Sequence, residues 1–342
     1  MYEAFFGFNA KPFQLNPDPS FFYGSRGHKR AMAYLEYGLH QGEGFIVITG
    51  EVGAGKTTLV RNLLNKIPSG EKIHAAQIVS SQLDANDLLK MVAAGYGIAV
   101  DGLDKPSLLL RLESTFQSFA NAGQRALLVV DEAQNLSPRA VEELRMLSNF
   151  QIGNTSLLQS FLIGQPEFRE VMQRPEMKQL KQRVIASYHL GPLDKPEIKA
   201  YVEHRLNHAG WSGKPIFEDD CFEKLADVTA GIPRRINTLC DRLLLSCFLT
   251  DKYTISASDV DEISNEIADE LGAVQLVHSS ISTSPNWSHS QTLRGGDNDQ
   301  ALLIRLSDID RRLQVIDNSI LSLAKQVNSL ATVTGAASSR VR

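Results

Sequence analysis

Short apolar runs recur along the first 190 residues, separated by longer stretches of mixed polarity. Phe45–Thr49, Ile73–Val79, Ala126–Val130, Leu157–Ile163 and Ile185–Leu190 are runs of five to seven residues dominated by aliphatic and aromatic side chains. Near-continuous apolar runs of this length predict strands buried on both faces. The stretches around them, beginning with Arg26–Leu39 and Thr58–Lys66, carry apolar residues at helical spacing. Strands alternating with helices predict a parallel sheet covered on both sides.

The pattern changes after Gly191-Pro192. Lys195–His208, Asp219–Ala230, Arg234–Leu249 and Ala257–Asp269 read as amphipathic helices, with one short strand at Tyr253–Ile255. This predicts an α/β domain over residues 1–190 and a helical domain over 191–272. Residues 273–300 become rich in Ser, Thr, Asn and Gly and read as a linker. From Leu302 through Leu306, Ile309, Leu313, Ile316, Ile320, Leu323, Val327 and Leu330, spacings of four and three alternate without a break. That repeat predicts a coiled-coil helix over 301–332 and self-association through it. Residues 333–342 read as a disordered tail. At the other end, eight of the 25 aromatic residues fall within the first 23 positions. Three prolines there forbid one long helix. The expectation is an irregular arm that packs its rings on the main core; a second reading has part of it walling a slot for a base.

Composition narrows the class. Hydrophobic residues make up 43% and charged residues 22%, enough for sizeable cores. The net charge of −4 marks no dedicated polyanion binder. Cys221, Cys240 and Cys247 form no CxxC pair and fit a reducing compartment. No run reaches the ~20 apolar residues of a membrane span, and the N-terminus lacks the features of a secretory signal. A cytoplasmic location is expected.

Gly50-Glu51-Val52-Gly53-Ala54-Gly55-Lys56-Thr57 follows the first predicted strand, and Thr58 opens the next predicted helix. GxxxxGK[ST] in that context is a phosphate-binding loop. Its glycines let successive N–H groups point at phosphate oxygens, and the helix N-terminus adds a positive dipole end. Lys56 is expected on the β- and γ-phosphates of ATP, and the Thr57 hydroxyl on Mg²⁺. Asp131 and Glu132 end the third predicted strand. Asp131 is a candidate Mg²⁺ ligand and Glu132 a candidate base for the attacking water. A carboxylate placed for water points to ATP hydrolysis.

On these residues the chain resembles the AAA+ ATPases over about residues 1–270. Among them it is similar to the general secretion pathway protein A family, and within that to the ATPase associated with the exosortase (PEP-CTERM) system. The opening MYEAFFGF…KPFQLNPDPSFFYGS, GLHQGEGFIVITGEVGAGKTTLVRNLL, LLVVDEAQNLS, FLIGQPEF and GIPRRIN carry the resemblance. It implies a P-loop NTPase sheet with a helical lid. It implies that Gln165 is a sensor at the γ-phosphate and that Arg234, with Arg235 adjacent, is the lid's sensor. It implies that Arg183 is an arginine finger acting on a neighbouring subunit, with Arg174, Arg169 and Lys181 as nearby competitors. A homo-oligomer, a protein partner in an envelope secretion, sorting or exopolysaccharide export system, and peripheral attachment to the inner membrane through that partner are implied too. The family's transmembrane helix and periplasmic region have no counterpart in this sequence. The alternatives are a DNA-binding regulator resembling the transposition ATPases, which the acidic total disfavours, and a slow nucleotide-dependent switch.

Other features weigh less. His204 and His208 stand i, i+4 without a third ligand and read as structural or solvated. His28-Lys29-Arg30 reads as a solvated helix face, and Cys240 and Cys247 as buried small hydrophobes.

Overall fold

In the computed structural model, residues 1–278 are described except 17, 67–71 and 81–83, with side chains through Glu270. The coiled coil at 301–332, the tail at 333–342 and all but the start of the linker at 273–300 lie outside the described residues. The last described helix, Ala257–His278, runs six residues into the expected linker.

Five apolar runs pair as one parallel sheet: β1 (Phe45–Gly50), β2 (Ile73–Val79), β3 (Arg125–Asp131), β4 (Leu158–Gly164) and β5 (Val184–Leu190). The order is β2-β3-β4-β1-β5. All of β1 and β4 is buried, as is β3 after Arg125. The edge strands β2 and β5 show mixed burial instead. Alternate side chains feed opposite layers. Phe45, Val47, Leu128 and Val130 join a core with helices Ala85–Gly95, Lys105–Asn121 and Pro138–Leu147. Ile46, Ile48, Leu127, Val129 and Phe161 join a second core under helices Arg26–Gln41 and Lys56–Lys66.

The helical domain forms its own core from Lys195–His208, Asp219–Thr229, Pro233–Leu249 and Ala257–His278. Asp194 and Glu197 close a capping box at its first helix. The second helix stops at Thr229, one residue short of expectation, because Ala230 turns left-handed at φ 51°. Thr254–Ile255 is a strand as expected, and its parallel partner Ile216–Phe217 was not foreseen. The antiparallel pair of Gln151–Ile152 and Thr155–Ser156 was not foreseen either. Strands of two residues are too short to carry a period.

The aromatic arm corrects the expected domain boundary. Tyr2, Phe6, Phe8, Phe13 and Phe21 are buried in the core of the helical domain, not in the sheet domain to which residues 1–190 were assigned. Tyr2–Phe6 is a short helix, and Phe5 stacks on Tyr253 and meets Phe248 edge-on. Each buried ring contributes about 2 kcal/mol by transfer. Polar contacts fix the register: the Tyr2 hydroxyl bonds Asp241, and the Asn9 N–H donates to the Ala209 carbonyl at 2.8 Å. Aromatic density in sequence marks a core but does not say whose core it is.

Candidate functional site

The carboxyl edge of the sheet gathers the loop after β1, the acids at the end of β3 and the residue after β4. Glu51 to Gly55 turn between β1 and a helix that begins at Lys56, two residues earlier than predicted. Lys56 and Thr57 thus lie in the first helical turn, where backbone N–H groups lack intrahelical acceptors. Gly53 (φ 84°) packs against the lid: a Cβ there would stand 2.3 Å from the Cβ of Arg234. The Arg234 N–H donates to the Gly53 carbonyl at 3.1 Å, so lid and loop touch through backbone. Arg234 and Arg235 are both exposed at the helix start, and it is Arg234 that lines the cleft.

Lys56 is 7% exposed and folds back on the loop, donating to the carbonyls of Gly50 at 2.6 Å and Glu51 at 2.9 Å. Burial holds its ammonium below the ordinary lysine range, against the opposing pull of Glu132, Asp131 and Glu51. The Thr57 hydroxyl donates to Asp131 Oδ2 at 2.8 Å, across 74 residues of sequence. A hydroxyl and a buried carboxylate in contact are hard oxygen donors of the kind Mg²⁺ takes. Glu132 follows in a left-handed conformation, φ 55°. Its Oε2 accepts from Gln165 Nε2 at 2.9 Å and from Gln134 Nε2. Gln165, just past the end of β4, is thereby brought against Glu132.

A cleft of about 220 Å³ opens above these groups. Val52, Gly53, Gly55, Lys56, Thr57, Thr58 and Glu132 form its floor; the lid supplies Tyr201, Arg205, Arg234 and Asn237; the arm supplies residues between Gln14 and Tyr23. Phe22 and Tyr23 are among them. Arg205, buried among apolar neighbours, binds the arm to the lid. Its Nε donates to the Pro12 carbonyl at 2.5 Å, and its guanidinium reaches Tyr201 and the Gln14 carbonyl and covers Phe21. It shares the buried stripe of its helix with Ile198, Tyr201, Val202 and Leu206, and an arginine on such a stripe is the signal that would have exposed it.

Arg183 is absent from this cleft. It precedes β5 at the amino edge of the sheet, where its carbonyl accepts from the Phe45 N–H and its guanidinium bonds Ser148 Oγ at 2.7 Å and Asn149. Arg169 and Lys181 line a separate groove beside β5. His204 and His208 stack at 6.5 Å against Tyr23 and Phe21, and no cluster of three metal-ligating side chains occurs among the described residues.

His28 overturns the reading of residues 28–30 as a solvated face. It is 5% exposed, and its Nε2 donates to the Ala54 carbonyl of the phosphate loop at 3.1 Å while Ser25 Oγ donates to Nδ1 at 2.7 Å. Burial depresses its pKa, so the fold favours neutral imidazole. The unfolded chain takes up that proton near about pH 6.5 and the folded chain only lower. His28 stabilises the fold above that value, and the contribution is lost as pH falls through the folded pKa. Unfolding free energy is therefore expected to fall from pH 7 to pH 5, by at most about 1.4 kcal/mol per pH unit for one proton, and the melting temperature with it. His28→Gln is expected to flatten that slope. His189 and His204 shift the same way, so some slope persists.

Residues 39–172 match the family model of the AAA domain. General secretion pathway protein A of Aeromonas hydrophila is 39% identical over 270 residues, covering 78% of this chain and 49% of that protein. The chain thus spans about half the length of this relative. Among solved structures, the Aeropyrum pernix ORC2 protein (ADPNP–ADP complexes) superposes with a TM-score of 0.59 at 20% identity, covering 76% of this chain and 72% of that one. The Aeropyrum pernix ORC1 protein in complex with DNA gives 0.58 at 18%, covering 79% and 75%. At these identities the likeness is one of fold, and the fold is the P-loop AAA fold read from the sequence. No helix among the described residues is long and apolar enough to cross a membrane.

Proposed function

We propose that this AAA-fold chain is a Mg²⁺-dependent ATPase whose turnover drives or regulates a secretion, sorting or export system at the cell envelope. The observation that carries the chemistry is the Thr57–Asp131 contact at 2.8 Å beside a Glu132 carboxylate in a lid-covered cleft. In this reading backbone N–H groups of the 53–57 turn take the phosphates, and Lys56 leaves its loop carbonyls for phosphate oxygens. Thr57 and Asp131 hold Mg²⁺, which when bound neutralises charge on the phosphate chain. Glu132 accepts the proton of the attacking water, Gln165 orients that water, and Phe22 and Tyr23 flank the base. Arg234, on the lid and in contact with Gly53, couples the phosphate state to lid movement.

Similarity to general secretion pathway protein A supports an envelope role. The finer assignment to an exosortase-linked system rests on the opening segment and the stretch from Gly38 to Leu64. Assembly with copies of itself and attachment to an envelope protein, at the inner membrane, complete the proposal. Phosphate release by the purified chain tests its enzymatic core. Release is expected with ATP and Mg²⁺ and is expected to cease with EDTA. A chain that retains no ATP in the presence of Mg²⁺ refutes it.

A further inference from the structure

The carboxylate of Glu132 sits in a closed ring of hydrogen bonds that the phosphate loop does not explain. Gln134, two residues on, lies in the short turn Ala133–Asn135. Its Oε1 accepts from the backbone N–H of Gln165 at 2.9 Å, and its Nε2 donates to Glu132 Oε2. Gln165 Nε2 donates to the same Oε2 at 2.9 Å. A backbone N–H can only donate, so it fixes which end of the Gln134 amide faces it. The NH₂ end is thereby committed to Glu132. Oε2 is taken by two amide donors, which leaves Oε1 as the oxygen that Glu132, lining the cleft, can offer to a ligand there.

Two features hold this arrangement. A Cβ on Gly164 would stand 3.2 Å from Gln134 Oε1 and 2.9 Å from the Cβ of Phe168, so the glycine at the end of β4 leaves room for the amide. The turn is pinned by Asn135, whose side chain donates to the Ser80 carbonyl at 3.0 Å and whose N–H donates to the Glu132 carbonyl at 3.0 Å.

We propose that Gln134 is a positioning residue for hydrolysis: it locks the rotation of the Glu132 carboxylate so that Oε1 faces the attacking water. This rests on the reading of Glu132 as the base. Gln134 touches neither nucleotide nor metal in this scheme and acts only through Glu132 and Gln165. Misplacement of a catalytic group by about 1 Å can cost up to about a hundredfold.

The test uses the full chain and compares Gln134→Ala and the near-isosteric Gln134→Glu with wild type in steady-state and single-turnover hydrolysis. Both are expected to lower kcat between about tenfold and a hundredfold, with KM for ATP within about threefold. Gln134→Glu is expected to be the slower, since it sets a carboxylate against a carboxylate. In a Glu132→Gln background, Gln134→Ala is expected to cost little more, because the group it positions is already disabled; a general structural defect would add its full loss there. The inference is overturned if kcat for Gln134→Ala stays within twofold of wild type or rises, or if the loss persists undiminished in that background. Should Glu132→Gln alone leave turnover intact, the failure belongs to the assignment of Glu132 instead.

Discussion

Glu132→Gln is expected to lower steady-state turnover by about 10² to 10⁴-fold while ATP stays bound. The substitution keeps the shape of the side chain and one acceptor oxygen. That oxygen can still receive the amides of Gln134 and Gln165, so the ring of hydrogen bonds around it survives. What is lost is the second oxygen's capacity to take a proton. The phosphate loop, Lys56 and the Thr57–Asp131 pair are untouched, so nucleotide affinity has no reason to fall. Glu132→Ala is less clean, because it leaves two buried-side amides without an acceptor. Filter retention of labelled ATP, paired with phosphate release, checks the prediction. Turnover within threefold of wild type removes Glu132 from the role of base.

The sheet was legible because its strands are buried on both faces, which makes them apolar at successive positions. β2 was placed to the residue, and the other four differ by one residue at one or both ends. The phosphate loop was legible because its chemistry is local. Thr57 and Asp131 are far apart in sequence, yet each sits at the end of an element that the pattern announces. The rest of the cleft was hidden for physical reasons. Phe13 and Phe21 look alike whether they pack on a sheet or on helices, so the arm was given to the wrong domain. His28 stands in a basic run, and only tertiary contact with Ala54 distinguishes it from a solvated charge. Gln134 follows a conspicuous pair of acids, but an amide's partners depend on a backbone N–H 31 residues away.

Arg183→Ala is expected to lower turnover about a thousandfold without releasing nucleotide, on the proposal that the guanidinium serves the site of a neighbouring copy. Geometry rules out its own site. β1 and β5 run parallel, with Phe45 beside Val184 at one end and Gly50 beside Leu190 at the other. Arg183 therefore lies roughly 20 Å of strand from its own phosphate loop. Its side chain is held by Ser148 and Asn149, both neutral, so its direction is set while its charge remains available to an outside anion. Mixing distinguishes this role from a folding defect. Arg183→Ala supplies an intact phosphate loop and Lys56→Ala an intact arginine, and each alone is expected to be nearly inactive. In a head-to-tail assembly of equal parts, about a quarter of the interfaces join the two intact halves, and activity is expected to return in that proportion. Arg169→Ala, Arg174→Ala and Lys181→Ala, put through the same mixing, test the neighbouring cations. A mixture no more active than its components, or an Arg183→Ala chain that turns over normally alone, excludes Arg183 from the shared site.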